Sequence, residues 1–252
     1  MDYLPKPYHT KIWRAIYEHE LIEAGDRIAV GLSGGKDSMF ACYALSAIRR
    51  YSKIPFSLSA ITIDLGFEQS LDRDALEQFC SALEISFHYI PTRIADIIRA
   101  REQQESPCAV CSYFRRAALH RFASAHGYNK VVFAHHQDDA METFLMNILF
   151  SGRVGTLPWK THLTKTGIVV IRPLMYLSER DIAKAVRRLG LRTEPNVCPY
   201  SCETHRARTK ELIRDLCREH KQVRANLISA MRSDRLMELW PASGRLNRSS
   251  SS

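Results

Sequence analysis

A glycine-rich loop, GLSGGKDS at residues 31–38, joins an apolar run to a stretch with helical character. Residues 27–32 have the composition of a buried strand, and residues 37–51 are predicted to form a helix. A loop of this kind presents backbone amides at the start of a helix, where they bind phosphate. The chain is therefore predicted to contain an α/β domain with a phosphate site at the end of its first strand.

Strands and helices alternate beyond this loop. The further strands are predicted at Phe56–Asp64, Ile85–Ile90, Lys130–Ala134 and Ile168–Ile171, with helices at 71–83, 95–102, 108–126, 138–150 and 179–189. Alternation at this spacing favours a doubly wound, parallel five-stranded sheet covered by helices on both faces. Ligands of such sheets bind beyond the carboxyl ends of the strands, at the point where the strand order reverses.

The pattern divides the chain into four segments. They are an N-terminal helical segment (1–24), the α/β domain (25–195), a basic helical segment (196–242) and a tail (243–252) whose composition predicts disorder. No stretch reaches the ~20 apolar residues of a membrane span, and the N-terminus lacks the apolar core of a signal peptide. A cytoplasmic protein without a membrane partner is expected, so its seven cysteines indicate metal or sulfur chemistry rather than disulfides.

Lysine and arginine outnumber aspartate and glutamate by 36 to 27, giving a net charge of +9. A basic balance suggests a polyanionic partner such as nucleic acid. Many proteins are basic without such a partner, however, so charge alone leaves both interpretations open.

The glycine-rich loop fails two common phosphate-binding patterns. A kinase-type P-loop needs glycine where Val30 stands and Ser or Thr where Asp37 follows Lys36. The dinucleotide fingerprint GxGxxG is also missing from the loop. The remaining motif, SGGKDS after a strand, resembles the PP-loop of ATP pyrophosphatases, which split ATP between its α and β phosphates and transfer AMP.

That resemblance implies phosphate contacts from the loop. At the other strand ends, Asp64 is expected either to meet the nucleotide ribose or a magnesium ion, or to cap a turn. The predicted ATP-binding residues are Ser33, Gly34, Gly35, Lys36, Asp37, Ser38, Asp64, His135 and Gly152.

Four cysteines form a second group of interest. Cys108 and Cys111 lie within one turn at the start of a predicted helix, while Cys198 and Cys202 lie in the segment PNVCPYSC. Residue types and spacing leave three possibilities: a structural Cys₄ zinc site, a redox or persulfide dithiol, and an iron–sulfur cluster. The remaining three cysteines, Cys42, Cys80 and Cys217, are predicted to be buried as small hydrophobic residues.

Several motifs in order resemble the tRNA 2-thiocytidine synthetase (TtcA) family of PP-loop tRNA-thiolating enzymes. They are the CxxC, the sequence AHHQDD at 134–139, and a cysteine ahead of an R-x-x-x-K stretch, and the similarity runs from about Glu23 to Leu216. The resemblance implies a [4Fe–4S] cluster held by Cys108, Cys111 and Cys198. Cys202 departs from the family pattern and is expected to be a bystander.

The resemblance also implies a catalytic set of Asp37, Arg115 and Asp139. Asp139 would lie close to the reacting nucleotide, and Arg115 would neutralise charge between ATP and the target base. Asp138 is a weaker candidate for binding Mg²⁺. The ordinary alternatives are that the two aspartates cap a helix and that Arg115 is a solvated helix residue.

Cations near the C-terminus are predicted to bind tRNA. These are Arg206, Arg208 and Lys210, of which Arg206 and Lys210 can share one helical face. Phosphate contacts from such residues give affinity and salt dependence without sequence selection.

The function implied by the resemblance is adenylation of C2 of a tRNA cytidine and replacement of its oxygen by sulfur. A cysteine desulfurase or sulfide would be the sulfur donor, and a homodimer would be compatible with the family. One alternative is a tRNA 2-thiouridine synthetase. A lysidine-type synthetase needs no CxxC and is disfavoured. A zinc-stapled, non-catalytic RNA-binding module would leave SGGKDS unexplained.

Overall fold

The computed structural model describes residues 4–68, 71–101, 106–194, 199–200 and 205–232. Two of the cysteines singled out above, Cys198 and Cys202, lie outside the described residues, as does the tail 243–252. No helix in the described part of the chain is both long enough and apolar enough to cross a bilayer.

The described strands form one six-stranded sheet in the order β3-β2-β1-β4-β6-β5. Their bounds are β1 Arg27–Gly31, β2 Ser57–Asp64, β3 Ser86–Pro91, β4 Lys130–Val132, β5 Lys160–Leu163 and β6 Ile168–Ile171. The five strands predicted from the sequence are all present and parallel. The sixth, β5, was not predicted; it is a short, half-exposed edge strand antiparallel to β6 and lacks an apolar pattern.

Helices cover both faces of this sheet. Their bounds are α1 Lys6–Glu18, α2 Lys36–Tyr51, α3 Arg73–Ala82, α4 Ile94–Arg101, α5 Pro107–Ala125, α6 Gln137–Ser151, α7 Glu179–Arg188, α8 His205–Glu219 and α9 Val223–Ala230. Apolar residues of α1, α2, α3 and α7 form one core with the sheet, and those of α4 and α5 form a second core on the opposite face. The doubly wound architecture predicted from the alternation is confirmed.

The strand order reverses between β1 and β4. The chain moves outward from β1 to β3 and then returns to place β4 on the other side of β1. Parallel strands leave a crevice at their carboxyl ends where this reversal occurs. The loop at 32–35 follows β1, and the AHHQDD stretch follows β4, so both open into that crevice.

Helix α5 brings the CxxC to the same edge of the sheet. Its C-terminal end lies at the amino edge, where the amide of Asn129 bonds to the carbonyl of Arg27 at the start of β1. A helix of 19 residues is about 28 Å long, which exceeds the length of these strands. The helix packs closely on β1, because a Cβ at Gly31 would lie 3.1 Å from Leu119. Its first turn, with Cys108 and Cys111, therefore lies at the carboxyl edge.

Candidate active site

Hydrogen bonds within the loop between β1 and α2 hold it as a compact turn. The Ser33 amide donates to Ser38 Oγ at 3.1 Å, and Ser38 Oγ donates to the Gly35 carbonyl at 2.9 Å. Gly34 has φ +76°, and a Cβ there would lie 2.8 Å from the Glu194 side chain. No side chain caps the N-terminus of α2, so its first amides face the crevice as phosphate donors.

Two charged residues of the loop differ in their surroundings. Lys36 Nζ lies 3.1 Å from both Asp37 Oδ2 and Glu179 Oε1. Burial alone would lower the pKa of Lys36, but the neighbouring carboxylates outweigh it and raise this pKa. The other carboxylate oxygen, Asp37 Oδ1, is buried 3.8 Å from His136 Nε2 and accepts no hydrogen bond from any residue in the described ranges. A buried acceptor without a donor is the expected position for a ligand or cation.

The AHHQDD stretch forms the N-terminus of α6 through a reciprocal cap. The His136 amide donates to Asp139 Oδ2 at 2.8 Å, and the Asp139 amide donates to His136 Nδ1 at 3.4 Å. Asp139 Oδ1 also accepts from Arg206 Nη1 at 3.1 Å. The helix-capping alternative for Asp139 is therefore realised, and the cap fixes this carboxylate at the crevice.

Asp138 is held by a different set of donors. Arg224 of α9 donates to its two oxygens at 2.7 and 2.9 Å, and the Glu179 amide donates at 2.7 Å. Burial works to raise the pKa of Asp138, but these donors outweigh it and lower that pKa. A magnesium ion at Asp138 would have to compete with Arg224. No group of three or more metal-binding side chains is assembled among the described residues.

Helix α8 turns two of its three predicted tRNA-binding cations toward the protein. Arg206 bonds to Asp139 and to Thr143 Oγ1, and Lys210 Nζ lies 2.7 Å from Glu179 Oε2. These two residues do share a face, as predicted from their spacing. Arg208 is exposed on another side of the helix. Their proposed contacts with tRNA remain predictions.

A buried acid that the sequence did not indicate, Glu142, lies beside Arg206. Glu142 is 4% exposed, and its Oε2 lies 3.7 Å from Arg206 Nη1. Burial, assisted by the negative charge of Asp139, raises the pKa of Glu142 to about 7. The carboxyl group therefore titrates near neutrality. Its ionisation places a negative charge next to the ion pair between Arg206 and Asp139.

The two described cysteines of the CxxC lie in the first turn of α5, each half-buried. Cys108 Sγ donates to the carbonyl of Tyr200 at 3.7 Å. The Tyr200 ring lies 6.4 Å from that of Phe67, and both join the core that contains Cys111. The segment that carries the other two candidate cysteines in the sequence thus contacts the CxxC through its described residue Tyr200.

A profile of the PP-loop domain family matches residues 8–218, which is most of the chain. The chain belongs to the PP-loop family. The tRNA-cytidine(32) 2-sulfurtransferase of Geobacter metallireducens is 34% identical over 238 residues, covering 92% of each protein. That of Pelobacter propionicus is 34% identical over 223 residues, covering 87% of this chain and 82% of the relative. The predicted membership among PP-loop tRNA-thiolating enzymes is confirmed.

A solved PP-loop structure agrees with this assignment. It is the U34-tRNA thiolase NcsA from Methanococcus maripaludis with its [4Fe-4S] cluster. The TM-score is 0.73 and the sequence identity is 25%, and the match covers 90% of this chain and 77% of NcsA.

Not every predicted residue of the PP-loop enzyme lies at the carboxyl edge. Gly152 caps the C-terminus of α6, a helix of 15 residues, and so lies about 22 Å along it from Gln137 at the crevice. Asp64 lies at the end of β2, where Oδ1 accepts from the Gly66 amide at 3.1 Å. Arg115 is exposed on α5, one turn beyond Cys111. One edge of the sheet holds the loop 33–38, the aspartates 138–139 and the CxxC. Gly152 lies away from that edge.

Glu179 and Arg224 were not identified from the sequence. Glu179 occupies the first turn of α7, where an acidic residue is typical of any helix start. Arg224 lies in the short helix α9, whose sequence VRANLISA contains no recognisable motif. Only the tertiary structure shows that Glu179 contacts the PP-loop lysine and that Arg224 covers Asp138.

Proposed function

We propose that this chain is an ATP-dependent tRNA thiolase that converts C2 of a tRNA cytidine to its 2-thio form. The observation that carries the proposal is the position of the SGGKDS loop and the CxxC helix at one edge of one sheet. Cytidine is favoured over uridine because relatives named for cytidine match at 34% identity over 92% of the chain, whereas the U34 thiolase matches at 25%.

ATP would bind with its phosphates on the uncapped N-terminus of α2. Ser33 and Ser38 supply hydroxyls there, and Lys36 is placed to exchange Glu179 for a phosphate oxygen. The unpartnered Asp37 Oδ1 is the carboxylate oxygen best suited to Mg²⁺, which binds few protein ligands together with substrate phosphates. These residues would orient the α-phosphate toward the target base.

The reaction would proceed in two displacements. The cytidine O2 attacks the α-phosphorus and pyrophosphate leaves, which turns a poor leaving group into AMP. A sulfur nucleophile then adds to C2 and AMP departs with the former oxygen. Asp139 is fixed at the crevice by its helix cap, and Arg115 would offset the charge that develops between ATP and base.

Two of the three cysteine ligands implied for an iron–sulfur cluster fit that role. Cys108 and Cys111 are half-buried, one turn apart, at a helix N-terminus that favours thiolates. The third candidate, Cys198, precedes Tyr200 by two residues, and Tyr200 contacts Cys108. When bound, a [4Fe–4S] cluster would carry the sulfur for this displacement. Sulfide would replenish it directly, whereas sulfane sulfur from a cysteine desulfurase would also require a two-electron reductant.

The ligand assignment can be tested on anaerobically purified protein. Cys108→Ala, Cys111→Ala and Cys198→Ala should each lose iron, visible absorbance and tRNA thiolation. The matched controls Cys202→Ala and Cys217→Ala should retain all three. Full thiolation by any of the first three variants would refute the assignment, and one zinc in colourless wild-type protein would support the non-catalytic module instead.

The adenylation step and its substrate can be tested separately. Wild-type protein should release pyrophosphate from ATP only when tRNA is present. Asp37→Asn should abolish that release and leave the iron content unchanged. Mass spectrometry of tRNA nucleosides from cells with and without the protein should show that 2-thiocytidine is lost when the protein is absent. Loss of 2-thiouridine instead would show that the target base is uridine.

A further inference from the structure

Arg172 is a buried cation without a counter-charge among the residues that the structure describes. It directly follows β6, is 9% exposed, and donates through Nη1 to the Pro158 carbonyl at 2.7 Å and Thr161 Oγ1 at 3.2 Å. Both acceptors are neutral, and no carboxylate of the described residues pairs with it. The other deeply buried cation, Lys130, lies 2.7 Å from Asp26 Oδ2. A buried charge is costly unless it is paired.

One edge of the Arg172 guanidinium is open. Nε is buried, and none of the described residues accepts a hydrogen bond from Nε or from Nη2. Nε and Nη2 form the side of the guanidinium that donates two parallel hydrogen bonds to a planar or tetrahedral oxyanion. The residue is therefore oriented by Pro158 and Thr161, with its bidentate edge unused.

The charged side chain that acts most strongly on Arg172 is itself positive. Burial, reinforced by the positive charge of Arg116, lowers the pKa of Arg172 to about 10, which still leaves it protonated at neutral pH. His135 follows the adjacent strand β4, and its buried Nδ1 likewise has no hydrogen-bond partner in the described part of the chain. Burial lowers the pKa of His135 to about 4 against the opposing charge of Asp139, so its ring is neutral.

A bound water could satisfy Nε, but it would bring no charge to offset the guanidinium. An anion would supply both the acceptors and the charge. Strand β6 is two strands from β1, or about 10 Å at the usual spacing, so this edge lies within one nucleotide's length of the PP-loop. The anionic groups expected at that distance are phosphates.

We propose that Arg172 is the centre of a phosphate subsite at the carboxyl end of β6, separate from the PP-loop. A phosphate group binds the Nε–Nη2 edge, with His135 Nδ1 as an additional partner. The inference rests on the proposed function, because that function brings two sources of phosphate to this edge: ATP and the RNA backbone beside the target nucleotide. Both offer the same tetrahedral oxyanion.

Equilibrium binding distinguishes the two sources. Binding of a non-hydrolysable ATP analogue and of unmodified tRNA is measured for wild type, Arg172→Gln and Arg172→Lys, with exposed Arg121→Gln as the surface control. If ATP is the source, Arg172→Gln weakens binding of the analogue and of AMP at least tenfold, with tRNA unaffected. If RNA is the source, tRNA affinity falls at least tenfold and the slope of log K against log salt falls by about one.

Arg172→Lys keeps the charge and loses the bidentate edge, so we expect an intermediate loss of the same ligand. It also keeps the test decisive if Arg172→Gln does not fold. Unchanged affinity for both ligands in a folded variant would overturn the subsite.

Failure of the proposed function would give a different result. Wild-type protein would then release no tRNA-dependent pyrophosphate and would form no 2-thiocytidine, while the effect of the Arg172 substitutions on binding of the ATP analogue would still be measurable. If wild-type protein thiolates tRNA and the Arg172→Lys variant binds both ligands normally, the subsite is rejected and the proposed function is retained.

Discussion

Arg206 Nη1 lies 3.1 Å from Asp139 Oδ1, so the carboxylate expected beside the reacting nucleotide is paired with the first turn of α8. The same arginine donates to Thr143 Oγ1 and faces the buried Glu142. This contact makes Arg206 an anchor for the C-terminal helices in the described structure, whatever it also contributes to tRNA binding.

A double-mutant cycle on Asp139→Asn and Arg206→Gln should therefore show coupling. Each single variant should lower the free energy of unfolding, and the double variant should lose less than their sum, by about 1 kcal/mol for this partly exposed pair. Urea denaturation at neutral pH provides the measurement. Strict additivity would mean that the two side chains do not interact in solution.

Arg208 should affect tRNA binding without affecting stability. Its side chain is exposed on α8, whereas the charged groups of Arg206 and Lys210 pair with Asp139 and Glu179. Arg208→Gln should weaken tRNA binding and reduce the salt slope by about one, because one phosphate contact is lost. Lys53→Gln, an exposed cation at the opposite edge of the sheet, is the matched control. Equal effects of the two variants in a filter-binding titration would indicate non-specific charge alone.

The sequence predicted the parts of the fold that depend on local pattern. Alternating apolar strands and helices indicated the five parallel strands, and the glycines of SGGKDS indicated the PP-loop. Strand β5 was missed because KTHL has no apolar alternation, and its pairing with β6 depends on the edge of an already formed sheet.

The contacts that define the charge network could not be predicted in the same way. Arg224 is 86 residues from Asp138, and neither position has a local signal for the other. The open edge of Arg172 likewise depends on β5 and β6 meeting, since Pro158 and Thr161 occupy only one side of the guanidinium. Motifs identified the candidate residues, whereas tertiary structure decided their partners.

Glu179 bridges the PP-loop and α8, because it contacts both Lys36 and Lys210. Glu179→Gln should cost about 1 kcal/mol of stability, since both lysines lose their shared counter-charge. A bound ATP analogue would supply replacement charge to Lys36. The analogue should therefore raise the melting temperature of Glu179→Gln more than that of wild type in a calorimetric comparison. A smaller shift would show that Glu179 assists phosphate binding instead of competing with it.

Glu142 should make stability fall as the pH rises through neutrality. Its pKa is about 7 in the folded protein against 4.5 in the reference state, so the folded state binds more protons than the unfolded state between these values. The contribution of Glu142 to the free energy of unfolding is complete below about pH 4.5 and is lost above about pH 7. This contribution is on the order of 3 kcal/mol. Glu142→Gln removes the titration and should flatten the loss in urea denaturation between pH 5 and about pH 8. Identical pH profiles for the variant and wild type would show that another group controls stability in this range.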